Sequence, residues 1–344
     1  MNNPSDAPSQ TSSGRDLHPA ARVRTFVTEL PFAVLCLALL AGLVFLFAGD
    51  SFTLGILATT FLFAGLASAW NIIGGFGGQF SLGHSVFFAI GAYVVANLYL
   101  RAGVPPWFGL VPAAVLATVV AVVASWPVFR LRGPFFAIAT MAMTEVALAL
   151  GNYFDSFTGG TRGLSIPFRL GFANMIFRNR LSYAWLMLGF VALCLLVSLA
   201  ISRSRLGYYL QAVRDNEQAA AAAGIDVRRA KLVGMGISAA LTGIGGGLFM
   251  MQVRVVDPSA LLSLFDFGVK FALIALIGGL GTVYGPLVGA LLIVPLESWL
   301  RAELGGAVPG GDLIVLSIVL MAAALFLRRG IVGTLNHVLR RRAG

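Results

Sequence analysis

Apolar runs long enough to cross a lipid bilayer recur along this chain, separated by short polar connections. A hydrocarbon core about 30 Å thick takes roughly 20 residues of helix. Runs at 30–48, 52–73, 107–129, 135–153, 181–201, 232–252 and 312–327 answer that requirement. The stretch 85–100 is shorter and flanked by glycine, and 266–300 holds two helices split by Gly278, Gly279, Gly281, Gly285 and Pro286. The pattern predicts an all-α polytopic membrane protein of about ten transmembrane helices, some of them broken by glycine. Ahead of the first run the chain is polar and rich in Ser, Pro and Asp, the composition of a disordered tail. The expected organisation is a tail at 1–29, a membrane domain at 30–327 whose largest polar connection is 202–231, and a basic tail at 328–344. No secretory signal is expected, because no short apolar stretch follows a basic start directly.

Composition agrees with a bilayer solvent: of 344 residues 58% are hydrophobic and only 11% charged, against roughly 25% charged in a soluble domain. The net charge of +10 alone would admit nucleic acid as a partner, but the positions of the charges assign it otherwise. With the N-terminus inside, sixteen Lys and Arg residues fall on the cytoplasmic side and seven outside, as cytoplasmic loops require, with Lys270 left within a span. Both termini are therefore expected to be cytoplasmic. The inner basic rim, including Arg328, Arg329 and Arg340 to Arg342, suits anionic lipid headgroups rather than nucleic acid. Cys36 and Cys194 lie in apolar runs and form no disulfide framework.

Catalytic constellations are missing from the pattern. His18, His84 and His337 have no metal-binding spacing, and no metal site is expected. The only lysines, Lys231 and Lys270, follow Ala230 and Val269, so no phosphate-binding Gly-Lys-Ser/Thr loop exists. Gly234-Met-Gly236-Ile-Ser-Ala239 mimics a dinucleotide fingerprint but sits in an apolar helix with no preceding strand.

Polar groups inside apolar runs carry more information, since each is costly in lipid unless it faces protein or water. Glu145, Lys270, Glu297 and His84 are of this kind, and Glu297 stands one turn before Arg301, where an i, i+4 ion pair is expected. Gly281, Gly285 and Gly289, like Gly243 and Gly247, recur every fourth residue and suit close helix packing. Gly74, Gly75, Gly77 and Gly78 are too dense for an unbroken helix. Broken backbone at membrane depth must be satisfied by protein or water, so this segment is a candidate wall of a translocation path. Gln79, Ser81 and His84 follow it and can bond the freed groups, either beside a solute or purely structurally. Glu145 and Asn152 are further candidates on a neighbouring helix. Ile73-Gly-Gly-Phe-Gly77 also echoes Ile277-Gly-Gly-Leu-Gly281, a short internal repeat.

The connection 202–231 predicts a helix over 206–223, a left-handed cap at Gly224, and a second helix capped by Asp226. Ala219 to Ala223 give it a smooth surface suited to a partner's groove. Its wording, Ala212-Val-Arg214-Asp215-Asn216-Glu217-Gln218-Ala219-Ala220 to Gly224, resembles the coupling segment of ATP-binding-cassette importer permeases, and in particular the branched-chain amino acid (LivM-type) permeases. GQFSLGHSVFFAIGAY (78–93), TGGTRGLSIP (158–167), KLVGMGISAALTGIGGGLF (231–249) and IGGLGTVYGPLVGALL (277–292) resemble that family in the same order. Three departures stand out: Gln218 holds the usual glutamate place, no Ile-x-Leu-Pro follows Gly224, and Arg162 occupies the outer turn.

The resemblance implies a non-enzymatic permease in a bacterial inner membrane, moving branched-chain or related amino acids by alternating access. It implies a second homologous permease subunit, two cytoplasmic ATPase subunits that bind the ATP and Mg, and an extracytoplasmic solute-binding protein. This chain itself would hold no cofactor. It also singles out the outer turn residues Thr158, Gly159, Gly160, Thr161 and Gly163. The sister permeases for urea and short-chain amides, and an ion-coupled secondary transporter using Glu145 or Lys270, are the alternatives.

Overall fold

The computed structural model describes residues 19–131, 133–304, 314–315, 317–318, 321 and 330–334, with side chains from residue 31 onward. Its helices are α1 (Pro19–Leu46), α2 (Ser51–Asn71), α3 (His84–Ala102), α4 (Pro106–Val128), α5 (Pro134–Tyr153) and the single turn α6 (Asp155–Thr158). They continue with α7 (Arg180–Arg203), α8 (Arg205–Asp215), α9 (Glu217–Ala222), α10 (Val227–Val253), α11 (Pro258–Leu261), α12 (Lys270–Gly279) and α13 (Gly285–Leu304). Two-residue strands β1 (Leu164–Ser165) and β2 (Val255–Val256) pair antiparallel.

Seven helical stretches among the described residues are long and apolar enough to cross a membrane, not the ten that the pattern predicts. They are Ser51–Phe76, His84–Ala102, Pro106–Val128, Pro134–Tyr153, Arg180–Arg203, Val227–Val253 and Pro258–Gly279. The difference has three sources. In the first run, helix α1 runs Pro19–Leu46, and Pro31–Leu46 is the apolar stretch of it that falls among the residues whose side chains are described. The last split helix, α13, carries Glu297, Arg301 and Glu303 in its final turns and is not among the seven. The expected span at 312–327 lies largely outside the described residues, as do the tail up to residue 18 and the basic tail from residue 335. Within the expected tail at 1–29, α1 already begins at Pro19.

Helix α10 sits at the centre, packed on α3, α4 and α2, while α2 also contacts α7 and α13. Glycine permits these approaches: a Cβ at Gly91 of α3 would lie 1.9 Å from Gly243 O, and one at Gly246 would lie 1.9 Å from Phe88 O. Likewise, a Cβ at Gly289 of α13 would lie 2.1 Å from Ile274 O of α12. The fourfold glycine spacing thus serves packing, with Gly281 in the α12–α13 turn at φ +73 rather than on the helix face. Burial is uneven: 72% of the α2 span is buried but only 17% of the α5 span. Phe135, Ile138, Val146 and Leu150 of α5 face outward, an apolar surface suited to lipid or to another membrane chain.

Candidate functional site

The connection after α7 folds as two helices where the sequence predicts one. Asn216 Oδ1 accepts from the backbone N–H groups of Gln218 and Ala219, both at 3.0 Å, which caps α9 and separates it from α8. Gly224 closes α9 with φ +85, and Ile225 N–H donates to Ala220 O at 3.1 Å. Asp226 caps α10 as expected, accepting from Arg229 N–H at 3.0 Å. Gln218, Ala219, Ala221, Ala222, Ala223 and Gly224 are exposed, while Ala220 turns into the bundle. Glu217 is committed inward: its Oε2 accepts from Lys231 Nζ at 3.0 Å. Arg214 pairs with Asp215 at 3.2 Å and also reaches back to α2.

Arg214 Nη1 donates to Gly75 O at 3.1 Å. Gly75 lies in a π-helical turn, Ile72–Phe76, where the wider winding frees carbonyls from the α-helical ladder. The same turn meets the second copy of its motif. Asn71 Nδ2 donates to Thr282 O at 2.9 Å, and its Oδ1 accepts from Gly281 N–H at 2.9 Å. A Cβ at Gly75 would lie 2.6 Å from Gly281 N, so only glycine fits between the two copies. Gly74 and Gly77 are buried, Gly78 is exposed and Gln79 half-buried, its N–H donating to Ile73 O at 3.0 Å.

His84 and Ser81 are fully buried and used internally. Ser238 Oγ donates to Ala69 O at 2.6 Å, so it must accept from His84 Nε2–H at 2.9 Å. His84 Nδ1 is then left to accept from the Ser81 hydroxyl at 3.0 Å. Trp70 Nε1–H donates to Ser81 O at 2.7 Å, which ties the segment after the break to the end of α2.

Residues 52–325 match the family described as branched-chain amino acid transport system, permease component. The chain belongs to that family. It is 31% identical over 274 residues to the high-affinity branched-chain amino acid transport system permease protein LivM of Escherichia coli, covering 72% of this chain and 64% of that protein. The LivM protein of Salmonella typhimurium is 30% identical over 70% of this chain and 62% of its own length. This chain therefore spans less than two thirds of those two relatives. The probable permease protein LivH of Methanocaldococcus jannaschii is 27% identical, over 69% of this chain and 78% of its own length. No solved structure matches significantly.

Elsewhere in this family member the turn at 158–163 is held by its own groups. Thr158 Oγ1 lies 2.5 Å from Gly151 O, to which it donates, and 3.0 Å from Phe154 O, and it accepts from Gly160 N–H at 3.0 Å, while Gly159, Gly160 and Gly163 all have positive φ. β1 follows directly and ties the turn to β2. Thr161 is exposed, as are Arg162, Glu145 and Asn152. Glu145 and Asn152 belong to α5. Glu297 makes the expected pair with Arg301 at 3.0 Å, and Lys270 Nζ also lies 2.5 Å from its other oxygen. The sequence reading missed Lys231, Ser238 and Asn71. Of these, Asn71 carried a signal, being an amide at the end of an apolar run, three residues before Gly74.

Proposed function

We propose that this chain is the membrane-spanning permease subunit of an ATP-driven importer for branched-chain or related amino acids in a bacterial inner membrane. Its partners are a second permease subunit, two cytoplasmic ATPase subunits and an extracytoplasmic solute-binding protein, with both of its own termini on the cytoplasmic side. One observation carries the reading: the helix pair α8–α9 offers an exposed alanine surface on one side and, through Arg214, a hydrogen bond to the π-helical turn of α2 on the other. A docked ATPase would press on α9. The connected elements would pass that movement to α2 through Gly75 and to α10 through Glu217 and Lys231, shifting the bundle between two accessible states. No covalent chemistry is assigned to the chain.

The test is uptake of radiolabelled leucine into cells that lack their own branched-chain transport and express this chain with the four partner subunits. Uptake is expected to depend on this chain, to stop when ATP is depleted, and to survive a protonophore while ATP is maintained. Uptake that collapses with the proton gradient alone would instead support an ion-coupled carrier.

A further inference from the structure

Two adjoining cavities open between α2, α7, α10 and α13, at the end of the bundle opposite Arg214. The outer one, about 580 Å³, is lined among the described residues by Arg178, Arg180, Arg254 and Arg301, with Gln252 and Thr59. The inner one, about 400 Å³, is lined by Asp266, Lys270 and Glu297 together with Phe63, Phe249 and Phe267. Thr59, Ser298 and Arg301 form part of both walls. Thr59 and Phe63 are two and three turns into α2, so the inner cavity reaches towards the middle of the span. Each volume falls in the roughly 300–1,000 Å³ range of small-molecule sites.

The lining carries both signs of charge in a fixed order. Arg301 Nη2 is 3.0 Å from Glu297 Oε1, and Lys270 Nζ is 2.5 Å from Glu297 Oε2, giving plus, minus, plus across a few ångströms. Lys270 Nζ also lies 4.3 Å from the centre of the Phe63 ring, and Phe267 stacks on Phe63. Gln252 Oε1 is buried against the outer cavity and has no hydrogen-bond partner among the described residues. A buried acceptor without a donor is costly, and an incoming N–H group would satisfy it. Arg254 holds a left-handed backbone, φ +66, at the end of α10, where it lies over Phe168 at the same rim.

We propose that these cavities form a binding site for a zwitterionic apolar amino acid. The solute carboxylate is held by the arginine rim, its ammonium by Glu297 and Gln252 Oε1, and its side chain by Phe63, Phe249 and Phe267. The assignment rests on the transport reading above and deepens it: recognition of both charges of the solute resides in this chain.

The experiment uses the full chain in lipid nanodiscs, with Cys36→Ser, Cys194→Ala and Ser298→Cys placing one thiol on the shared wall. Labelling by an impermeant thiol reagent is measured against leucine, leucinamide, which lacks the carboxylate, and 4-methylpentanoate, which lacks the ammonium. Leucine is expected to protect the thiol, and each analogue to need about tenfold more. Glu297→Gln is expected to raise the protecting concentration of leucine about tenfold and to leave that of 4-methylpentanoate unchanged. If that variant does not fold, Gln252→Met removes the unpaired acceptor without touching the ion pairs and must produce the same rise. Equal protection by all three compounds overturns the proposal. So does absence of protection in a chain that supports leucine uptake, which would leave the transport reading intact. Protection by leucine in a chain that supports no uptake would uphold the site and overturn transport instead.

Discussion

A lysine ammonium in the protein interior is tolerable only beside an acceptor, and Lys231, with 2% of its side chain exposed, has Glu217 Oε2 at 3.0 Å. The pair spans the connection between α9 and α10, so the residue that fixes the loop helix is the one that begins the central span. Glu217→Gln should destabilise the protein by up to about 3 kcal/mol, below the full penalty for a wholly buried pair, because Glu217 keeps 29% exposure. Removing both charges in Glu217→Gln with Lys231→Met should restore most of the loss. Thermal unfolding of the three proteins in nanodiscs checks this, and a double variant no more stable than Glu217→Gln would refute the pairing.

Between elements, the bundle is held by backbone approaches that a single methyl group would block. A Cβ at Gly246 would lie 1.9 Å from Phe88 O, which cannot swing aside because it belongs to α3 itself. Gly246→Ala is therefore expected to push α3 and α10 apart at a cost of about 2 kcal/mol or more. Gly189→Ala on α7 is the control: its Cβ would meet nothing within 4 Å, and alanine gains roughly 1 kcal/mol of helix propensity. The melting temperature should fall for the first and hold or rise for the second. The π-helical turn at Ile72–Phe76 belongs to the same scale. Its freed carbonyl at Gly75 is answered from a different element, α8, making this junction a contact between the loop and a span rather than a feature of α2 alone.

At the scale of the molecule, what the sequence disclosed was local. The Asp226 cap, the left-handed Gly224, the glycine packing faces and the Glu297–Arg301 pair are written within a few residues of one another and could be read there. Contacts between distant segments could not: Arg214 to Gly75, Asn71 to Gly281 and Lys231 to Glu217 depend on which helices the fold sets side by side. The same limit explains His84 and Ser81. Their residue types suit a solute path, but the hydrogen bonds they make, to each other and to Ser238, 154 residues from His84, depend on the fold. Among the described residues seven spans stand where the pattern predicts about ten: α13, with Glu297, Arg301 and Glu303 in its final turns, is not one of them, and the expected span at 312–327 lies largely outside the described residues.

The proposed coupling joins these scales, because it runs from an exposed helix through one guanidinium to a turn between two repeated motifs. Its most direct test is the ratio of leucine transported to ATP hydrolysed by the assembled importer in proteoliposomes, for the natural chain and for Arg214→Gln. Loss of the Arg214–Gly75 hydrogen bond should leave hydrolysis close to its natural rate while transport falls about tenfold, since a charge-assisted bond of about 1.5–3 kcal/mol is removed from the connecting path. An unchanged ratio, with transport and hydrolysis both at the natural rate, would contradict the account.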